Sequence, residues 1–343
     1  MSDKWYKNTG SDIDVVLSSK AIITRNLKGY KFPAKMTLDE KDEVVNKVSD
    51  ALSDRNMKLY RLDGIDESER DELIDGQILG GRTLYDDTEC KAILANDDMS
   101  TSVILNDGDH IKVKAQASGY TNSVYKMCED IAVDLENKLD IAFSNKYGYL
   151  GSTVNNTGMG LRLFFTIAVP GICRTGDGLK VLSQKVKSLE WSMYPFLDSG
   201  KAVKGDIYII SSTAALGVDE ATVLMAADRL IREIIKIEHL LRDSLRNKRL
   251  DILENSFYRS YGILYYSKSV DPFETLDQLG WIRLYNGFQN KSEIDISWED
   301  INTITSQVLW SIYPHVICKD NQIDGRYLAL KIGEVLKRDK GGN

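Results

Sequence analysis

Apolar residues recur along this chain with two different periods. From Asp219 onward, Val223, Ala227, Leu230, Ile234, Ile237 and Leu241 lie three and four positions apart. That spacing predicts a long amphipathic helix running to about Asn247, with Asp219 as its N-cap. "LDEKDEVVNKVSDALSDR" predicts a second helix, with Val44, Val48 and Leu52 on one face. Tyr120 to Leu139 and Leu179 to Trp191 also read as helices. Earlier segments alternate instead. "DIDVVLSSKAIITRNL", Asp12 to Leu27, is rich in Val and Ile and predicts a strand or two. "STSVILNDGDHIKVKAQ" predicts a hairpin around the polar turn Asn106 to Asp109. Leu161 to Val169 and Asp206 to Ser211 add two more strands. Beyond residue 250 the pattern is of shorter helices to about Lys337. Strands first and helices last predict an α+β fold. An antiparallel sheet flanked by helices would span 1–250, and an all-helical domain 251–343.

Composition narrows the class. The chain has 343 residues, 43% of them hydrophobic and 28% charged, with five prolines, so a real core is expected and extensive disorder is not. A formal net charge of −7 disfavours a general nucleic-acid binder, which needs a basic face. The N-terminus "MSDKWYKNTGSD" lacks the apolar stretch of a signal peptide. "LRLFFTIAVPGI" is too short to span a bilayer. Cys90, Cys128, Cys173 and Cys318 lie far apart, with no histidine at ligand spacing. Neither disulfides nor zinc are expected, and the reading is a reduced, cytoplasmic protein.

Between two apolar segments lies "YGYLGSTVNNTGMGLR", Tyr147 to Arg162. Small polar residues, backbone N–H groups and a terminal arginine suit an anion such as phosphate. The loop nevertheless carries no cysteine, histidine or carboxylate.

Several segments, in order, resemble the ATP:guanido phosphotransferases. "VVLSSKAIITRNLKGYKFP" is similar to their entry strand, "NDGDHIKV" to their NEEDH-(I/L)-R segment, and "GYLGSTVNNTGMGLR" to their T-x-C-P-T-N-x-G-T-x-(L/V)-R loop. "VKGDIYIISSTAALGVDE" is similar to their VRG…ISN…LG segment. "FYRSYGIL" and the helical C-terminal part resemble the bacterial protein arginine kinase branch, and no counterpart of the smaller N-terminal helical domain of arginine and creatine kinases is expected.

The resemblance implies transfer of the ATP γ-phosphoryl group to a guanidinium nitrogen, on a protein arginine in that branch. It implies phosphate contacts at Lys20, Ile22, Lys112, Arg162 and Lys204, where the family has arginines. Only Arg162 keeps the forked guanidinium, and Ile22 carries no charge. His110 falls where the family also has histidine, implying a structural role or a nucleotide contact. On the acceptor side the family's critical glutamate falls on Gly108, with the shorter Asp107 beside it, and its reactive cysteine on Thr153. Its second glutamate lies on a loop that has no counterpart here, because Lys204-Gly205 runs straight into "DIYIIS". The branch's phosphoarginine-reading signature aligns with Asp324 to Ala329, its arginines falling on Asp324 and Leu328.

The resulting expectation is a pseudokinase with no intact catalytic residue, weak binding of ATP or ADP with Mg²⁺, and a regulatory role. Two alternatives stand beside it: an active but altered phosphotransferase using Asp107, Thr153 or His110, and a nucleotide sensor. The expected partner is a second copy, or an active paralogue in a heterodimer, with no nucleic acid and no membrane. Tyr258, Tyr261, Leu264, Trp281, Leu284, Trp310 and Tyr313 either pack internally or form that interface.

Overall fold

A computed structural model describes residues 4–78, 88–196, 205–213, 217–288, 294–317 and 325–338, with only the backbone for 309–317 and 337–338. Lys204, Cys318 and Asp324, and the side chains of Trp310 and Tyr313, lie outside the described set.

Ten strands are described. They are β1 Val16–Arg25, β2 Lys58–Arg61, β3 Ala92–Ala95, β4 Thr101–Asp107, β5 Asp109–Ser118, β6 Phe143–Ser144, β7 Gly148–Tyr149, β8 Leu161–Ala168, β9 Trp191–Pro195 and β10 Ile207–Ser212. Eight of them form one antiparallel sheet in the order β2-β3-β4-β5-β1-β8-β10-β9, and β6 pairs with β7. The helices are α1 Leu38–Ala51, α2 Glu67–Asp75, α3 Ser123–Lys138, α4 Pro170–Cys173, α5 Gly178–Ser188, α6 Glu220–Tyr266, α7 Pro272–Asn286, α8 Trp298–Ile317 and α9 Gly325–Arg338.

The starts of these helices follow local chemistry. Thr37 and Glu40 form a reciprocal capping box at α1, and Val44, Val45 and Val48 then fall on its buried side. Asp219 caps α6 through the Thr222 N–H. Asp271, followed by Pro272, caps α7. Between the expected helix at Leu179 to Trp191 and the next strand, the structure differs from expectation. α5 stops at Ser188, Glu190 takes φ +60°, and Trp191 opens β9 against β10. The aromatic, β-favouring "WSMYP" wins over continued helical spacing.

Period-two alternation gives the sheet two unlike faces. Ala21 and Ile23 on β1, Val113 on β5 and Leu163 and Phe165 on β8 pack with α1, α3, α5 and the first half of α6 into the main core. The opposite face carries the polar positions of the same strands. α6 leaves helical geometry at Arg249 (φ −148°, ψ 35°), and its second part joins α7, α8 and α9 around another apolar cluster. Leu17, Ala168 and Ile207 belong to that cluster, so the helical part rests directly on the sheet. Tyr261, Leu264 and Leu284 are buried in it, and Tyr258 and Trp281 pack against it. Among the described residues no helix is long and apolar enough to cross a membrane.

Candidate functional site

The polar face of the three central strands gathers the cationic residues. In the β1–β8 register Ile22 lies opposite Arg162, and Lys20 opposite Phe164. In the β1–β5 register Ile22 lies opposite Lys114, Thr24 opposite Lys112 and Lys20 opposite Gln116. Lys20, Ile22, Lys112 and Arg162 therefore share one patch. Lys114 is an addition, and its signal was present as the i, i+2 pair "KVK", which alternation puts on a single face.

These cations differ in how they are neutralised. Arg162 lies over the Phe164 ring at 4.8 Å, and its buried Nε has no partner. Lys20 Nζ sits 5.6 Å from the Trp5 ring, and burial lowers its pKa to about 8. No carboxylate pairs with either of these two among the described residues. Lys114 is spent on protein: its Nζ donates to the carbonyls of Gln77 at 2.6 Å and Ile78 at 3.0 Å. Burial, reinforced by Lys20, holds its pKa well below the ordinary lysine value. Lys112 donates to Asp107 Oδ2 at 2.7 Å, and Lys91 lies 4.0 Å from the other oxygen of that carboxylate.

That ion pair closes the tip of the β4–β5 hairpin, where Gly108 takes φ +75°. A Cβ built there would meet only Lys112 Nζ, at 3.8 Å, so the position has room but a backbone conformation costly for any other residue. Of the two carboxylates that flank it, Asp107 is committed to lysines and Asp109 to the loop before β8.

His110 lies beneath the patch, in the interior. It has no exposed surface, and both ring nitrogens are engaged. Nδ1 accepts the Leu27 N–H at 3.0 Å, which leaves Nε2–H to donate to the Lys31 carbonyl at 2.7 Å. Burial lowers its pKa. The imidazole is a neutral brace between β5 and the segment after β1. With no exposed surface, the ring offers neither nitrogen to the solvent side of the patch.

The loop before β8 is held from below by a residue that sequence reading passed over. Asp109, wholly buried, accepts from the Ser152 N–H at 2.7 Å, Ser152 Oγ at 3.0 Å, Asn156 Nδ2 at 2.6 Å and Asn26 Nδ2 at 2.8 Å. Several loop N–H groups are likewise spent inside: Asn156 on Thr153 O, Thr157 on Val154 O, Gly158 on Tyr149 O and Gly151 on Thr157 Oγ1. The loop is thus a tied structure rather than an open nest of donors. Thr153 stands exposed on it. A Cβ at Gly151 would run to 2.4 Å from the Asn156 backbone, so this glycine is sterically required.

At the other end of the patch, Gly205 and Asp206 turn straight into β10. The Gly205 N–H donates to Asp277 Oδ1 at 3.1 Å, and Asp206 pairs with Arg174, whose guanidinium lies 4.0 Å over the Trp281 ring. In α9, Leu328 is 1% exposed within the helical core. The aligned position of the second reader arginine is therefore a packing position. No group of three or more His, Cys, Asp or Glu suited to a metal ion occurs among the described residues.

Comparison with known proteins places this geometry. The family described as ATP:guanido phosphotransferase, C-terminal catalytic domain, matches residues 40–241. The chain is 26% identical over 341 residues to a protein-arginine kinase of Clostridium tetani, covering 98% of each. It is 29% identical over 287 residues to that of Brevibacillus brevis, covering 82% of this chain and 80% of the relative. In fold it is similar to the duplicated taurocyamine kinase of Schistosoma mansoni, with a TM-score of 0.60 and 21% identity, covering 76% of this chain and 40% of that one. Lombricine kinase gives a TM-score of 0.58 at 20% identity, covering 69% of each chain.

Proposed function

The chain belongs to the ATP:guanido phosphotransferase family, on its bacterial protein-arginine-kinase branch, and from that premise we propose that it is a degenerate member that binds nucleotide and transfers phosphoryl groups weakly or not at all. The observation that carries this reading is the state of the hairpin tip. Gly108 offers no side chain, and Asp107 is locked to Lys112. A guanidinium acceptor is protonated near neutral pH and is nucleophilic only once oriented and relieved of a proton. His110 is spent as a neutral brace, and Thr153 is not an acid–base group at this pH. Among the described residues the hairpin tip therefore presents no free carboxylate to do this work.

The donor side is in better order. Arg162, with its unpartnered buried Nε, and Lys20, with no counter-charge, suit a polyphosphate. A Mg²⁺ ion would arrive on the phosphates, since this ion takes few protein ligands and keeps several waters. Ile22, opposite Arg162, supplies neither charge nor hydrogen bond, so the grip is weaker than a full arginine set would give. A protein that keeps a nucleotide grip while losing the acceptor clamp suits regulation. Its partner in this reading is a second copy or an active paralogue.

The test is transfer itself. Full-length protein is incubated with γ-labelled ATP, Mg²⁺ and an arginine-rich protein, and phosphoarginine is quantified. Background levels are expected, alongside an ATP-dependent rise in thermal midpoint. Robust transfer would overturn the degenerate reading and favour an altered active enzyme.

A further inference from the structure

A cleft of about 420 Å³ lies where the helical part meets the sheet part. Asp14, just before β1, and four residues of α6 line it from one part, and the end of α7 and the start of α8 line it from the other. Some of this lining is neutralised within the protein. Arg242, 2% exposed, donates from Nε to Glu238 Oε1 at 2.6 Å and from Nη1 to Asp14 Oδ2 at 2.7 Å. His239 Nε2 shares the same Asp14 oxygen at 2.8 Å. Gly287 lies against that guanidinium, and a Cβ there would come within 2.5 Å of Arg242 Nη1.

Two opposite charges of the lining are not joined to each other. Asp243 and Arg246 stand three positions apart on α6, a spacing at which an acid and a base can pair along a helix. Asp243 is exposed and has no hydrogen bond or ion pair among the described residues. Arg246 carries five N–H donors, more than one protein partner uses. From the helical part, Asn286 spends Nδ2 on the Ile296 carbonyl at 3.0 Å, which leaves its Oδ1 as an acceptor. The half-buried Trp298 has no acceptor for its indole N–H among the described residues, and Phe288 adds an apolar surface.

A simple anion in this cleft would face Asp14 and Asp243, and a simple cation would face Arg242 and Arg246. A ligand that carries both signs a short distance apart meets neither conflict. The aromatic residues favour an apolar remainder. We propose that the cleft binds a free apolar α-amino acid of the size of leucine. Its ammonium donates to Asp243 and to Asn286 Oδ1, its carboxylate accepts from Arg246 and the Trp298 indole, and its side chain packs on Phe288 and Trp298. The volume falls within the range of about 300–1,000 Å³ usual for small-molecule sites. The cleft shares no residue with the cationic patch, so this site stands whether or not nucleotide binds there. Because its lining comes from both parts of the chain, the bound amino acid ties them together, shortly before the point at Arg249 where α6 leaves helical geometry.

Isothermal titration calorimetry of the full chain with L-leucine tests this, and one site per chain is expected. Isoamylamine keeps the ammonium without the carboxylate, and 4-methylpentanoate keeps the carboxylate without the ammonium. Each should bind at least about tenfold more weakly than L-leucine. Asp243→Asn, at an exposed position where folding is not at stake, should weaken L-leucine by about the same factor. Trp298→Ala should weaken it as well. Amide hydrogen exchange over residues 245–250 should slow when L-leucine is bound. No binding at millimolar L-leucine overturns the proposal and leaves the cleft a solvent-filled seam. So does equal affinity for either one-charge analogue, or an affinity unchanged in Asp243→Asn. Unchanged exchange at 245–250 in the presence of bound L-leucine would overturn the tie between the two parts.

Discussion

Asp109 and Asn156 are 47 positions apart in sequence, and their side chains meet at 2.6 Å beneath the loop that precedes β8. The same carboxylate takes Ser152 and Asn26, so one buried anion ties the β4–β5 hairpin, the loop and the end of β1 together. Its four hydrogen bonds come from donors that would otherwise be left without acceptors. Asp109→Ala should therefore cost about 3 kcal/mol of stability, and Asp109→Asn roughly half as much. Urea unfolding measures both. Hydrogen exchange should accelerate first at Ser152 and Asn156, and uniform exchange across the chain would refute the local role.

Much of the cationic patch was legible because alternation is geometric. Once β1 was read as a strand, Lys20 and Ile22 had to share a face, and the β1–β8 register adds Arg162 to it. The fate of each cation was not legible. Nothing local in "NDGDHIKV" says that Asp107 will take Lys112, or that His110 will spend both nitrogens on Leu27 and Lys31. Those choices are made by partners brought in by tertiary packing, 83 and 79 positions away for the histidine. β9 was lost for a related reason. Its five residues follow a helix closely, and pairing with β10 decides their conformation.

Lys20 gives the nucleotide grip a pH signature. Its pKa in the folded chain, about 8, lies below the ordinary 10.5, so folding disfavours its charged form. The destabilisation is fully present below pH 8 and fades as pH rises towards 10.5. Lys20→Met should thus raise stability at pH 7 by about 1–2 kcal/mol, after allowance for the partial exposure of the chain. An arriving phosphate favours the charged form instead. ATP binding should then take up a proton near pH 8 and weaken above it. Calorimetry in buffers of different ionisation enthalpy reads that uptake, and its absence would remove Lys20 from the phosphate contacts.

Asp107 competes with any ligand for Lys112. Replacing it by Asn frees the ammonium, and one surface-level charge pair is worth about 0.5–1 kcal/mol. Asp107→Asn should therefore tighten ATP binding several-fold, while Arg162→Ala should remove the ATP-induced thermal shift. An unchanged affinity in Asp107→Asn would show that Lys112 lies out of reach of the nucleotide.

His239 supplies a second pH dependence, away from the patch. Its Nε2 lies 2.8 Å from Asp14 Oδ2, and this hydrogen bond raises its pKa above the ordinary 6.5. A raised folded pKa means that the contribution is complete below about 6.5 and is lost as pH rises through the folded value. Asp14 also takes Arg242 Nη1 at 2.7 Å, so Asp14→Asn disturbs more than the histidine. The cleaner variant is His239→Gln, which should flatten the pH dependence of the thermal midpoint between 6 and 8. A slope unchanged in that variant would assign the titration elsewhere.

Restoring the two missing acceptor residues should not restore transfer. Thr153→Cys with Gly108→Glu supplies the family's side chains at both positions, and space for a Cβ exists at Gly108. The backbone there, however, sits at φ +75°, a conformation that costs a non-glycine residue about 1 kcal/mol or more. A glutamate at 108 would also stand beside Lys112, which already holds Asp107 and would draw the new carboxylate into the same ion pair. In the reading proposed above the second acidic arm is still lacking, and Gly205 and Asp206, which enter β10 directly, are pinned to Asp277 and Arg174. A positioned acid–base group is worth about 10²–10⁴ in rate, and groups that act together are not recovered singly. The double variant should therefore stay at background phosphoarginine formation. A third variant, with a family loop inserted between Gly205 and Asp206, is the arm in which transfer should first rise. Its burden is steric as well as chemical, since a Cβ at Gly205 would lie 2.8 Å from the Leu276 carbonyl. Strong transfer by the double variant alone would mean that the hairpin tip, and not the missing loop, is what keeps the acceptor from reacting.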